Sequence, residues 1–147
     1  MTFGAAVQSC LSKYAVFRGR APRSEFWWFW VFTILVEVVA AIIGVMLFTS
    51  SVSEHAVVMG PGMSSMSAFY VYAAPNWLSG LVHLLLILPS LAVTVRRLHD
   101  VGRSGWWFFI LFLPFIGFLV LLFWWVQPSE PRDNAYGPSP LPLLPRP

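Results

Sequence analysis

The sequence predicts an all-α, polytopic membrane protein: an interfacial amphipathic helix, three transmembrane helices and a disordered, proline-rich tail. Three observations carry that prediction. Of 147 residues, 58% are hydrophobic and only 10% charged, whereas soluble domains carry about 25% charged residues. The apolar residues gather into runs near 26–50, 77–95 and 106–126, and about 20 such residues make a helix that crosses the hydrocarbon core. The basic residues flank these runs: Lys13, Arg18, Arg20 and Arg23 precede the first, and Arg96, Arg97 and Arg103 separate the second from the third. Nucleic-acid binding would call for a basic face on a soluble domain, so that class is set aside.

Residues 1–25 form the first segment. Phe3, Ala6, Val7, Cys10, Leu11, Tyr14 and Phe17 recur at helical spacing, opposite Gln8, Ser9, Ser12 and Lys13. A helix over 3–17 with this pattern suits the headgroup layer, or packs its apolar face on the protein's own helices. No charged and apolar leader precedes Cys10, which argues against a cleaved signal peptide or a lipoprotein anchor. A single cysteine also excludes an internal disulfide and a multi-cysteine zinc site.

Residues 26–126 form the bundle. Gly19 and Pro22 end the first helix, and Ser24 is placed to cap the next. The first span then opens on Trp27, Trp28 and Trp30, an interfacial aromatic belt. Residues 51–76, with Gly60-Pro61-Gly62 and several serines, read as a loop that skims the surface at "AFYVYAAP". The second span contains His83 and Pro89. The third contains Pro114 and Gly117 as kink points. "RSEFWWF" at 23–29 echoes "RSGWWFF" at 103–109: an arginine for lipid phosphate, a serine to cap a helix, then interfacial tryptophans. Residues 127–147 are proline-rich, and proline removes amide donors, so a disordered tail is expected.

Seven Lys/Arg lie in the N-terminal segment and the loop near 96–105, and none in 51–76. The positive-inside rule makes the arginine side cytoplasmic. With three spans the N-terminus is inside and the tail outside, with Arg132 and Arg146 opposing the latter.

"FRGRAPRSEFWWF", "LPSLAVTVRRLHDVGRSGWW", "LPFIGF" and "NAYGPSP" occur in the order found in small bacterial inner-membrane proteins. The chain resembles the family called domain of unknown function 805, of the YhaH/YhaI type, over about residues 12–140. The tail departs from the family's N-R-[FY]-G-x-D-P pattern at Ala135 and Ser139. The resemblance implies fold and location and leaves function open.

Three chemical readings compete for Arg96, Arg97, His99, Asp100 and Arg103. In the first the arginines snorkel to lipid phosphates and set topology. In the second they bind an anionic headgroup, a phospholipid or polyprenyl phosphate. The amides of a helix starting at Ser104 would then face the anion. Arg18, Arg20 and Arg23 would close that site, with Glu25 and Asp100 holding arginines in place. The third is an enzyme in which His99 is a base oriented by Asp100. Neighbouring residues rarely achieve that geometry, and G-x-S-x-G, H-E-x-x-H and Walker sequences are all missing.

Within the membrane, Glu37 lies eleven residues after Phe26 and His83 twelve before Val95. At 1.5 Å per residue both sit about 17 Å deep. A carboxylate there needs a partner, so the two are expected to pair, either as a clamp on helix register or as a transporter's proton relay. His55, Met59, Met63 and Met66 are Cu(I)-type ligands, but their spacing is irregular. No cofactor or metal is expected. The leading expectation is a non-enzymatic inner-membrane protein engaging anionic lipids or a protein partner, with self-association open.

Overall fold

The computed structural model describes residues 1–59 and 77–141, with only the backbone from 48 to 59. The stretch "AFYVYAAP", Met63, Met66 and the last six residues lie outside the described residues. Among the described residues the chain forms four α-helices and one 3₁₀ helix: α1 (Phe3–Ser12), α2 (Arg23–Met59), α3 (Trp77–Asp100), the 3₁₀ helix Gly105–Phe112, and α4 (Ile116–Val126). The chain divides into two compact units, residues 1–32 with 87–147, and residues 33–86.

In the first unit α1 stops at Ser12 and does not continue to 17. The Lys13 amide makes the last i→i−4 bond, to the Ser9 carbonyl, which also accepts from the Ser12 hydroxyl, and the Val16 amide then closes a tighter i→i−3 turn on the Lys13 carbonyl. Ala6 and Cys10 are buried, while Phe3, Leu11 and Tyr14 stay exposed. Cys10 packs in a cluster with Ala21, Phe26, Phe29 and Val93. The first turn of α2 takes its bonds from the Pro22 carbonyl, which accepts from the Glu25 and Phe26 amides. Ser24 therefore lies inside the helix, not at its cap.

The α2 helix runs to Met59, so the loop expected from residue 51 begins no earlier than 60. Residues 51–59 carry no proline, and the only helix-breaking cluster, Gly60-Pro61-Gly62, comes after them. The second expected span also extends, from 95 to Asp100. It ends where Gly102 turns left-handed (φ 71°). The Arg103 amide then bonds the Leu98 carbonyl and the Gly102 amide bonds the His99 carbonyl, the paired bonds of a Schellman stop.

The third expected span, 106–126, is not one helix. After the 3₁₀ segment, Pro114 has no amide to continue a helix. Phe115 then takes φ 64° and ψ −60°, with the Ile116 amide 2.8 Å from the Pro114 carbonyl. This is the strained left-handed γ-turn. The chain reverses, and α4 returns along the 3₁₀ segment. A Cβ on Gly117 would lie 1.8 Å from the Ile110 carbonyl oxygen, so only glycine allows the arms to pack. The Trp107 and Trp124 rings meet at 5.3 Å, and Leu98, Leu121 and Trp124 form the second core cluster. Pro114 and Gly117 make a hairpin here, not a kink.

Residues 127–141 are not disordered. The Glu130 amide bonds the Asp100 carbonyl. Asn134 and Gly137 close a tight turn through reciprocal backbone bonds, and the Tyr136 amide bonds the Asn134 side chain. This tail lies against the same elbow that joins α3 to the hairpin, where the Arg132 and Glu130 carbonyls accept from Arg20.

In the second unit, residues 33–47 of α2 and 77–86 of α3 expose mostly apolar side chains, among them Ile34, Leu35, Val38, Trp77, Leu81 and Leu84.

Candidate functional site

Arginine in an apolar protein must find acceptors for up to five N–H groups. The elbow supplies most of them, Arg96 Nε being the buried exception. Arg20, Glu25, Arg96, Arg97 and Asp100 are all buried: Arg20 on the segment before α2, Glu25 in the first turn of α2, and the other three at the end of α3. Arg20 uses every guanidinium nitrogen. Its Nε lies 3.0 Å from Asp100 Oδ1. Its Nη1 donates to the carbonyls of Arg132 at 2.7 Å and Gly137 at 3.5 Å. Its Nη2 donates to the carbonyls of Asp100 and Glu130.

Arg97 holds the other carboxylate oxygen, Asp100 Oδ2, at 2.6 Å. It also donates to the carbonyls of Trp124, Trp125 and Gln127, which are the free acceptors at the C-terminal end of α4. A cation there also meets the negative end of the helix dipole. Arg96 donates to Glu25 Oε1 at 2.7 Å, an oxygen that also accepts from Ser9 Oγ at 3.2 Å.

Three buried cations thus face two buried carboxylates, and the excess positive charge is met by carbonyl oxygens of α3, α4 and the tail. Cys10 lies against the same carboxylate, its sulfur 3.6 Å from Glu25 Oε1. Burial, reinforced by the Glu25 charge and opposed by Arg96, pushes its thiol up to about 12. Cys10 is therefore an unreactive core residue.

His99 and Asp100 do not form a dyad. Both Asp100 oxygens belong to arginines. The His99 Nδ1 lies 3.2 Å from the Gly19 carbonyl, an acceptor, so that nitrogen carries the proton. The imidazole stacks on Tyr136 at 4.0 Å and 2°. Asn134 donates to the His99 carbonyl at 3.0 Å and to Glu130 Oε2 at 2.9 Å. Asn134, Tyr136 and Gly137 are thus site residues that the expectation of a disordered tail left out. Their signal was present in "NAYGPSP", where an Asn, an aromatic and a glycine interrupt a run of prolines.

Arg20, Arg96 and Arg97 turn inward and are buried. Arg18, Arg23 and Arg103 are exposed. Arg23 donates to the Val126 carbonyl at 3.3 Å, and the Arg103 guanidinium lies 5.3 Å from the centre of the Trp124 ring, a cation–π contact. Ser104 accepts from the Trp106 amide at 3.4 Å with its hydroxyl and from the Trp107 amide at 3.1 Å with its carbonyl, so those amides are already occupied. In the second unit His83 Nδ1 lies 3.1 Å from Glu37 Oε1. Among the described residues no group of three or more His, Cys, Asp or Glu could hold a metal ion.

Two helices, Arg23–Leu47 and Trp77–Asp100, are long and apolar enough to cross a bilayer, and their polar ends converge on a buried arginine clamp; together these features define an all-α membrane protein. Residues 14–138 match the family described as Protein of unknown function (DUF805), and the chain belongs to it. It is 36% identical over 132 residues to Inner membrane protein YhaI of Escherichia coli (strain K12), covering 90% of this chain and 92% of that one. It is 33% identical over 130 residues to Inner membrane protein YhaH of the same organism, covering 88% and 91%. No solved structure matches.

Proposed function

We propose that the protein is a multi-pass inner-membrane protein whose cytoplasmic face holds anionic lipid headgroups on Lys13, Arg18, Arg23 and Arg103. In this reading Arg20, Arg96 and Arg97 are the clamp that builds the face. The observation that carries it is the division of the seven basic residues up to Arg103: three are buried and bonded internally, and four remain exposed, as do Trp28, Trp106 and Trp107. Tryptophan belts mark the headgroup level, and basic side chains there attract anionic lipid.

Topology follows from two spans and a re-entrant hairpin. The 3₁₀ arm has 8 residues at about 2.0 Å each. The α4 arm has 11 residues at 1.5 Å each. Both reach about 16 Å, half of a hydrocarbon core of about 30 Å. A hairpin of matched arms enters and leaves on the arginine side, so the tail through Leu141 is cytoplasmic with the N-terminus.

The test is native mass spectrometry of the full chain from membranes rich in phosphatidylglycerol. Arg18→Gln/Arg23→Gln/Arg103→Gln should lose most retained anionic lipid while the helical content is unchanged. Equal retention by the triple variant and the wild type refutes the reading.

A further inference from the structure

We infer that two copies of this chain pair inside the bilayer through Glu37 and His83, each copy's imidazole bonding the carboxylate of the other. The inference rests on the reading of α2 and α3 as membrane spans.

Within one chain the two side chains share a single bond, His83 Nδ1 to Glu37 Oε1 at 3.1 Å. Among the described residues, neither His83 Nε2 nor Glu37 Oε2 has a second partner. His83 is not sheltered, since its side chain is 72% exposed, and that of Glu37 is 30% exposed. Hydrocarbon offers nothing to an imidazole nitrogen or a carboxylate oxygen. Ionisable groups at this depth ordinarily face a partner or a water-filled path.

The occupant is identified by complementarity. The pair leaves His83 Nε2 and Glu37 Oε2 available for a further bond among the described residues. A two-fold rotation sets the nitrogen of each copy against the oxygen of the other and satisfies all of them at once, as an isologous interface requires. An unrelated partner would have to supply both groups at the same spacing, whereas a second copy brings them by symmetry.

The helix surface admits such an approach. Trp77, Gly80, His83 and Leu84 fall at helical spacing on one exposed face of α3. A Cβ at Gly80 would meet nothing within 4 Å, so the backbone is bare one turn from His83. Small residues at that position let two membrane helices approach closely, and interhelical polar bonds hold them.

The experiment counts subunits of the full chain by single-molecule photobleaching in phosphatidylethanolamine–phosphatidylglycerol vesicles at low protein density. The wild type should bleach in two steps. His83→Leu and Glu37→Leu, which make the spans more apolar and so preserve insertion, should each lower the dimer fraction at least tenfold. The exchange Glu37→His/His83→Glu should restore it, because the reciprocal bonds are rebuilt with the roles reversed. Gly80→Cys should cross-link between copies through a short bismaleimide, with buried Cys10 left in place. A monomeric wild type, or a dimer indifferent to His83→Leu, overturns the inference. The spanning reading fails separately: labelling of Leu84→Cys by a membrane-impermeant maleimide would refute it whatever the subunit count.

Discussion

Replacing Arg97 with methionine removes the guanidinium and keeps most of the side-chain volume. Asp100 Oδ2 loses its 2.6 Å partner, although Arg20 still holds the other oxygen. The carbonyls of Trp124, Trp125 and Gln127 lose their donor as well. Breaking one side of a buried ion pair costs about 3–5 kcal/mol. Bonds to charged groups contribute about 1.5–3 kcal/mol each, but within one network they do not add. We therefore expect a loss of about 3–5 kcal/mol, a large share of the 5–15 kcal/mol that folded domains typically have. Arg97→Lys should recover part of it, since an ammonium keeps the charge near Asp100 but lacks the planar fork that reaches three carbonyls. The assay is reversible denaturation in mixed micelles followed by tryptophan fluorescence, with Trp124 and Trp125 as reporters. Arg18→Gln, at an exposed position, is the control and should leave the midpoint in place. A loss below about 1 kcal/mol for Arg97→Met would mean that the clamp does not hold the returning arm of the hairpin.

Three further outcomes follow from the same geometry. Gly117→Ala should separate the hairpin arms, because the new Cβ would meet the Ile110 carbonyl at 1.8 Å; faster proteolysis near 113–116 in micelles reads the opening, and an unchanged rate refutes it. Cys10, with its thiol pushed up to about 12 from 9.0, should hold about a thousandfold less thiolate at pH 8 than an ordinary cysteine, so maleimide should label it only after denaturation. The sign for stability is a decrease with pH: above pH 9 the unfolded thiol ionises while the buried one keeps its proton, so stability falls until about pH 12. Ala135→Cys, in an exposed turn, should react with an impermeant maleimide only from the cytoplasmic side, and labelling from the periplasm would refute the re-entrant hairpin.

Much of this architecture is legible in the amino-acid sequence, because hydropathy and charge placement are one-dimensional properties. The apolar runs at 26–50 and 77–95 needed only their ends extended, to Met59 and Asp100. The third run misled for a physical reason. Residues 106–126 have the same apolar composition whether they cross the bilayer or turn back within it. The direction rests on one missing amide at Pro114, one positive φ at Phe115 and one absent Cβ at Gly117. The tail misled for the complementary reason. Counting its prolines measures lost donors, but Arg20 and Arg97 need acceptors. An extended chain outside helix and sheet leaves its carbonyls free, and those of Gln127, Glu130, Arg132 and Gly137 meet the guanidinium groups. Acids are scarce in this chain, so Glu25 and Asp100 had few partners other than arginines. That the arginines turn inward is a matter of tertiary burial, which spacing along the chain does not encode.

The arginine clamp also bears on where function is to be sought. Residues of "RRLHD" and "NAYG" bond each other in the elbow: Arg97 to Asp100, Asn134 to the His99 carbonyl, Tyr136 on the His99 ring. Tying the elbow to the tail needs these side chains saturated, whereas recognising a ligand needs donors left open. Arg20 and Arg97 between them hold both oxygens of Asp100 and a ring of carbonyls, so an anion entering there would have to displace a carboxylate. The proposed headgroup contacts therefore rest on the exposed Lys13, Arg18, Arg23 and Arg103. Variants at Arg96 or Arg97 would report folding first and binding only through it.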